Sequence, residues 1–437
     1  MKRLQRVGAA VAVLSTVTFA YAAQRPAAGP YDALRGGHVA AVGALAPMLD
    51  DPGLGGDTAA AVMDASSGKS LLERQASSLV IPASPLKILT AVAALDVLGP
   101  SRRLTTRVVT GARINKGVVD GDIVLVGAGD PTLSIGIDAA HYPSPASLEV
   151  LARSVYRSGV RQVRGRLLLD ASLFSGPGRA PGWRDSYVTE GSVTPVSALE
   201  VDEGRPGSNP SHGARSQQPV SDAGLAFGDA LTRAGVRIAR PTLEGQAPAA
   251  AKLIAQVQSA PVRELVERML QESDNDIAEC LGRLIALQLK KPGTFSAAAE
   301  AIGETLTGLK LPMPEGSVLV DASGLSRDDQ VSPSYVVSLM RYVMAPERAS
   351  MRVAVTGLAV AGVSGTLQRR FRNAAAEGGG IVRAKTGSLS GVSALVGTVV
   401  TRGGRLLIFA VFAQATPSRA KAEAALDRFA AALAALA

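Results

Sequence analysis

Cysteine and tryptophan each occur once in this 437-residue chain, and histidine three times. A lone Cys280 excludes an intrachain disulfide and any cysteine-built zinc or iron–sulfur centre. His38, His141 and His212 lie far apart and form no His-x-x-x-His pair, so the chain calls for no metal and no cofactor. Aromatic residues make up 4%, which leaves an aliphatic, Ala-rich core. No block interleaves aromatic with basic side chains, which argues against nucleic acid. Charged residues are also sparse, at 19% against 47% hydrophobic, so wholesale disorder is excluded. Acidic residues are the scarcer sign: 37 against 46 basic leave a formal net charge of +9, which suits contact with lipid headgroups or an anionic cell-wall polymer.

The N-terminus sets the compartment. Lys2, Arg3 and Arg6 precede an uncharged, largely apolar run from Val7 to Ala20, and Ala20-Tyr21-Ala22 offers the small-x-small pattern of a cleavage site. Residues 1–22 are therefore expected to be a signal peptide, with export to the periplasm, envelope or medium. An uncleaved anchor is the alternative, disfavoured by the shortness of the run. No cysteine follows it, so a lipoprotein is excluded. Residues 23–52, rich in Ala, Gly and Pro, read as a flexible tether.

At about 150 residues per domain the remainder should hold two or three domains. Ala60–Asp64 reads as a strand, Ser66–Lys69 as a turn and Ser70–Glu73 as a returning strand; Pro82-Ala83-Ser84 opens a helix that Gly99-Pro100 stops. Residues 101–254 change character. Short β-rich runs (Thr105–Val109, Ile123–Val126, Leu167–Leu169) are separated by turn signals such as Asp120-Gly121. Two similar helix-turn-strand units recur, Arg157-Ser158-Gly159-Val160-Arg161 and Arg233-Ala234-Gly235-Val236-Arg237. Helical periodicity returns in Val262–Gln271 and Asp276–Leu289, followed by apparent antiparallel strands at Ile381–Thr386, Val392–Thr401 and Arg405–Ala413, and a last amphipathic helix over Ala420–Leu436. A mixed α/β body, 53–100 plus 255–437, is thus expected to be interrupted by a β-rich insert over 101–254, whose ends near residues 103 and 253 should lie close together.

Several tempting motifs fail. Gly68-Lys69-Ser70 lacks the first Gly of a phosphate loop, Gly127-Ala128-Gly129 lacks the third Gly of a dinucleotide fingerprint, and no Gly-x-Ser-x-Gly elbow appears. What remains is Ser84-Pro85-Leu86-Lys87, Ser273-Asp274-Asn275 and Lys385-Thr386-Gly387, in that order. A lone Ser-x-x-Lys is weak, since Ser66–Lys69 and Ser418–Lys421 match as well, but only Ser84 both opens a helix and precedes the other two motifs. Ser66 reads as a surface turn and Ser418 as a plain helix cap. Lys87, three residues on, falls on the same helical face as Ser84, where a buried neutral amine could take the hydroxyl proton. Taken alone, Ser273 and Asn275 would cap a helix and Lys385 would guard an edge strand; together with Ser84 they make a nucleophilic site. Cys280 reads as a buried small hydrophobe.

The triple is the signature shared by penicillin-binding proteins and class A β-lactamases. With Gly127-Ala128-Gly129-Asp130-Pro131, Asp170-x-Ser172-x-Phe174, Ala180-Pro181-Gly182-Trp183 and Asp321-Ala322-Ser323-Gly324-Leu325-Ser326-Arg327, the chain from about Ala60 onward resembles the low-molecular-mass class C penicillin-binding proteins, D-alanyl-D-alanine carboxypeptidase/endopeptidases of peptidase family S13. The wide gap between the first two motifs disfavours a class A β-lactamase. The resemblance implies an antiparallel sheet flanked by helices and interrupted by the insert. It also implies cleavage of the D-Ala-D-Ala bond of peptidoglycan stem peptides through a Ser84 acyl-enzyme, with β-lactams as covalent inhibitors. Carried over by position, Ser84 is the nucleophile, Lys87 its base, and Ser273 and Asn275 handle the leaving-group proton and the substrate backbone. Lys385 and Thr386 hold the terminal carboxylate beside Gly387. The N–H groups of Ser84 and Ser388 form the oxyanion hole. Arg327, with Trp183, Asp185 and Tyr187, matches the region that lines the stem side-chain pocket, Arg327 as a free cation. If the motifs converge, Lys385 should hold the pKa of Lys87 down. The rivals are a serine β-lactamase and a catalytically silent envelope scaffold.

Overall fold

The computed structural model describes residues 40–136, 142–205 and 213–437. The expected signal peptide and most of the expected tether lie outside the described residues.

Strand sequences near both ends of the chain are continuously apolar rather than alternating, as burial on both faces requires. β1 (Asp57–Asp64) and β2 (Ser70–Arg74) form the hairpin expected around Ser66–Lys69. β13 (Arg383–Leu389), β14 (Val392–Val400) and β15 (Leu406–Gln414) follow one another as antiparallel neighbours. β1 then pairs antiparallel with β15, from Asp57 opposite Gln414 to Asp64 opposite Leu407, so the sheet joins the two ends of the chain. With β12 (Ala359–Val360) at the edge, the six-stranded order is β12-β13-β14-β15-β1-β2.

Side chains alternate across this sheet and feed two cores. Ala61, Ala394, Val396, Ile408 and Phe412 face a helical layer of α1 (Lys87–Val97), α4 (Val262–Gln271), α5 (Asn275–Gln288), α6 (Phe295–Gly308) and α7 (Pro333–Val343). Ala60, Val62, Leu395, Phe409 and Val411 face the opposite way, against α8 (Arg419–Ala435). Helices on both sides of an antiparallel sheet are the architecture expected from the sequence.

Two further sheets lie between residues 105 and 258, running a few residues past the expected end of the insert at 254. β3 (Thr105–Thr110), β6 (Ile123–Val126), β8 (Leu167–Asp170), β10 (Leu243–Glu244) and β11 (Lys252–Gln258) form the order β10-β8-β6-β3-β11. β4 (Ile114–Asn115), β5 (Val118–Val119), β7 (Gln162–Val163) and β9 (Arg237–Ile238) form a smaller one. The stretch is less purely β than its turn-rich sequence suggests: α2 (Leu148–Arg157) and α3 (Pro219–Ala234) pack together within its core. The two recurring five-residue units lie side by side. Gly159 and Gly235 adopt left-handed backbone after α2 and α3, at φ 100° and 91°, and the strands that follow pair in parallel, Gln162 opposite Arg237. Chain entry and exit are adjacent, since Val109 pairs with Leu253, and Leu104 and Ser259 exchange two hydrogen bonds of 2.9 Å.

One expectation changes. Residues 40–52 were expected to belong to the tether, yet Val42 and Leu49 are buried in the core shared with α8, and Asp51 pairs with Arg428 at 2.5 Å. The Gly- and Pro-rich composition hides short apolar turns, Ala46–Asp50 and Pro52–Leu54, that cover part of the sheet layer. Leu49→Ala should therefore destabilise the protein by about 2–5 kcal/mol in urea unfolding, as a buried leucine does; a change within about 0.5 kcal/mol, the scale of an exposed position, would return this segment to the tether.

Candidate active site

Ala83 turns the chain sharply at φ 51°, and Pro85 takes a first-turn position, where its missing N–H costs no hydrogen bond. The chain makes a tight 3-10 turn, Ser84–Leu86, before α1 begins at Lys87. Two close backbone approaches clamp this turn. Gly324 (φ 79°) lies so near that a Cβ there would come within 2.0 Å of the Ala83 carbonyl oxygen, and a Cβ on Gly387 of β13 would reach Pro85 Cδ at 2.6 Å. Glycine at 324 is needed twice over, for its left-handed backbone and for the space. The sequence motifs thus fit together as surfaces before any chemistry is considered.

Lys87 is fully buried. Its Nζ donates to Ser84 Oγ at 3.1 Å, to Asn275 Oδ1 at 2.6 Å and to the Ser323 carbonyl at 2.6 Å. Three acceptors match the three protons of an ammonium. On losing one, the nitrogen offers Ser84 a lone pair, and the Ser84 hydroxyl becomes the donor. Burial pulls the amine down to about 8, against the attraction of Asp321, Glu279, Asp274 and Asp276. At pH 7 roughly one molecule in ten then carries a free amine, against fewer than one in a thousand at the free lysine value of about 10.4.

The surroundings of Lys87 are ordered by two acidic residues, Asp321 and Glu279, to which the motif reading gave no role. Asp321 accepts from the backbone N–H groups of Ser323, Gly324 and Ser326 at 2.6–3.0 Å and from Trp183 Nε1 at 2.7 Å, which folds its loop onto the lysine. Glu279 accepts from Ala322 N at 3.2 Å, and burial pushes its carboxyl up to about 8. Glu279 stands four residues beyond Asn275, a spacing that places both on one face of α5 and could have flagged it.

Ser273 and Asn275 sit at the break between α4 and α5, as expected. Ser273 is half-buried in left-handed backbone at φ 60°. Asp274 caps α5 by accepting from Ile277 N at 2.9 Å. Asn275 bridges, its oxygen on Lys87 and its Nδ2 donating to the Ser192 carbonyl at 2.8 Å. Ser192 carried no signal in the sequence.

Lys385 is also fully buried, with Nζ donating to the Thr386 carbonyl at 3.0 Å; Thr386 Oγ1 donates to Thr366 Oγ1 at 2.9 Å. Burial and the Lys87 charge hold Lys385 well below the usual lysine range, with Glu272 opposing. Repulsion between two like charges is reciprocal; acidic groups led by Asp321 oppose it at Lys87, while Glu272 opposes it at Lys385. Ser388 is half-buried on the same strand, opposite Ser393 of β14.

The four residues expected in a side-chain pocket separate into different environments. Arg327 is exposed but engaged, donating to the Ser390 carbonyl at 2.8 Å at the end of β13, instead of standing as a free cation. Tyr187 is buried against Val193 and Leu325, its hydroxyl donating to the Leu325 carbonyl at 3.3 Å. Trp183 stacks edge-to-face on Phe295 while holding Asp321. Asp185 is exposed and pairs with Arg179 at 3.3 Å. Cys280 is buried, as expected.

Among the described residues, Glu203, Asp274 and Asp276 bring carboxylate oxygens within 4.8 Å of one another, a spacing that could hold a cation. Arg205, Arg215 and Arg268 already pair with this group, which makes it a salt-bridge network behind α5. No helix of the described residues is long and apolar enough to cross a membrane.

Comparison with known proteins gives the family and the fold. The family described as D-Ala-D-Ala carboxypeptidase 3 (S13) matches residues 41–208 and 205–433. A carboxypeptidase of Mycobacterium tuberculosis is 39% identical over 371 residues, covering 84% of this chain and 78% of its own. A D-alanyl-D-alanine carboxypeptidase of Actinomadura sp. is 32% identical over 433 residues, covering 82% and 78%. The fold is that of penicillin binding protein 4 of Haemophilus influenzae, with a TM-score of 0.76 at 24% identity over 89% of this chain and 97% of that one.

The arrangement gives a pH prediction. Acylation of Ser84 by a neutral ester should rise with pH and level off above about 8, the value to which burial brings Lys87. Asp321 attracts the ammonium, so Asp321→Asn should move that limb to lower pH; an upward or absent shift would mean that Lys87 is not the group that titrates.

Proposed function

Because this chain belongs to the D-Ala-D-Ala carboxypeptidase 3 (S13) family, we propose that it is a serine DD-peptidase of peptidoglycan stem peptides whose nucleophile is Ser84. The observation that carries the residue assignment is the Ser84 Oγ to Lys87 Nζ contact of 3.1 Å, made by a fully buried lysine beside Asn275.

Ser84 Oγ attacks the carbonyl carbon of the penultimate D-alanine while its proton passes to Lys87 Nζ. The N–H groups of Ser84 and Ser388 stabilise the oxygen that becomes negative. The C–N bond breaks, the departing amine takes the proton through the Ser273 hydroxyl, and Asn275 holds the substrate backbone. Water then attacks the ester carbon while its proton passes to Lys87; the C–Oγ bond breaks, Lys87 returns the proton to Ser84 Oγ, and the shortened stem peptide leaves. Lys385 and Thr386 hold the terminal carboxylate. The negative charge of that group favours the ammonium form of Lys385, which burial and the Lys87 charge disfavour. Gly387 lets the substrate backbone approach β13. Cross-link endopeptidase action uses the same ester. β-Lactams acylate the same oxygen, and their amine stays tethered after ring opening.

In this reading 53–100 plus 255–437 is the catalytic body and 101–254 an inserted domain. Arg327, Trp183, Asp185 and Tyr187 border the stem side-chain region. Export rests on the basic and apolar start of the chain, and the +9 charge suits contact with headgroups or an anionic wall polymer.

Intact-protein mass spectrometry after penicillin, followed by peptide mapping, tests the assignment. One stable adduct on Ser84 is expected, lost in Ser84→Ala and kept in Ser66→Ala and Ser418→Ala. An adduct on either other serine would overturn the site, and rapid turnover of penicillin without an adduct would favour a β-lactamase.

A further inference from the structure

The Asn275 amide has two ends of opposite character, and only one orientation suits its place. With Oδ1 on Lys87 it accepts from the amine; turned over, it would present N–H groups to an ammonium. What fixes the orientation is the Nδ2 bond to the Ser192 carbonyl. The strap carrying that carbonyl is pinned on both sides. On one side, the Gly191 carbonyl accepts from Arg215 Nε at 3.1 Å. On the other, Thr194 N donates to Asp276 Oδ1 at 2.8 Å, and Thr194 Oγ1 donates to the Glu203 carbonyl at 2.7 Å. Arg215 closes the circuit: its Nη1 lies 2.9 Å from Asp276 Oδ2 and also donates to the Glu203 carbonyl. Its own backbone N–H holds the Val188 carbonyl at 2.8 Å. The Arg215 side chain is 4% exposed, so water competes little for these bonds.

We infer that Arg215 is a positioning residue for acylation: by tying Gly191 to Asp276 it holds the Ser192 carbonyl where it orients the Asn275 amide toward Lys87. The guanidinium is suited to this because one planar fork binds a carbonyl at Nε and a carboxylate at Nη1 together, which a lysine ammonium cannot do at that span. The groups facing it are Asp276, Glu203, Glu200, Asp274 and Arg205. Glu203 is shared with Arg205 and Arg268, so charge behind α5 persists when Arg215 is removed. The specific loss is the link between the strap and Asp276. This inference rests on Ser84 and Lys87 acting as proposed above.

The test is a double-mutant cycle on the full-length protein, reading penicillin acylation of Ser84 by mass spectrometry across pH. Arg215→Met should slow acylation by about 10- to 100-fold, the scale of one misaligned charge-assisted hydrogen bond. It should also move the acidic limb to lower pH, because the ammonium loses an acceptor. In an Asn275→Ala background the same change should cost less than about twofold, since its route of action is already gone. Equal losses in both backgrounds with an unmoved limb would make Arg215 structural and overturn the inference. If Arg215→Met lacks a cooperative melt, Arg215→Lys, which keeps a cation opposite Asp276 but cannot also hold Gly191, is read in the same cycle against the same outcomes. Absence of any Ser84 adduct in the unsubstituted protein would instead refute the underlying site assignment.

Discussion

A lysine amine without solvent contact is the constraint on which the rest of this structure depends. Lys87 loses its proton near 8 when folded and near 10.5 when free, a difference of about 3 kcal/mol. The sign is unfavourable at neutral pH. The unfolded chain keeps the proton up to its higher pKa, so stability rises as pH climbs from about 8 to 10.5, and below 8 the folded state carries the whole penalty. The penalty is moderated by three well-placed acceptors and by nearby carboxylates, and it is tolerated because α1 runs through the larger of two apolar cores. In return the serine has beside it, without histidine, an amine that gives up its proton more readily than a free lysine.

Everything near that amine arrives from a different part of the chain. The Ser84 turn comes from the first segment, Asn275 from the start of α5, Ser323 and Gly324 from the loop that Asp321 folds, and Lys385 from β13. The sheet makes this convergence possible by pairing β1 with β15, which places the beginning of the body beside its end. Residues 183–194 belong by sequence to the insert, yet Trp183 holds Asp321 and Ser192 holds Asn275. The insert therefore contributes to the geometry of the site.

Much of this was legible beforehand. Strand and helix ends fall within a few residues of those expected, because the runs are long and bounded by Gly, Pro or capping residues. The three motifs converge as their order suggested. Composition misled at residues 40–52, where Gly and Pro masked Val42 and Leu49 as core residues. Charge misled at Arg327, which a backbone carbonyl engages. Ser192 and Arg215 act through backbone carbonyls and a folded-back strap, and such partners leave no mark on spacing.

The measurement closest to the central claim is a heteronuclear NMR titration of the lysine side chains in labelled protein, with Lys87 assigned by its absence in Lys87→Arg. Lys87 should titrate near 8, with Lys385 titrating below the usual lysine range. A Lys87 resonance that stays protonated to the ordinary value of about 10.4 would contradict the account, because a lysine so placed could not serve Ser84 as a base at neutral pH.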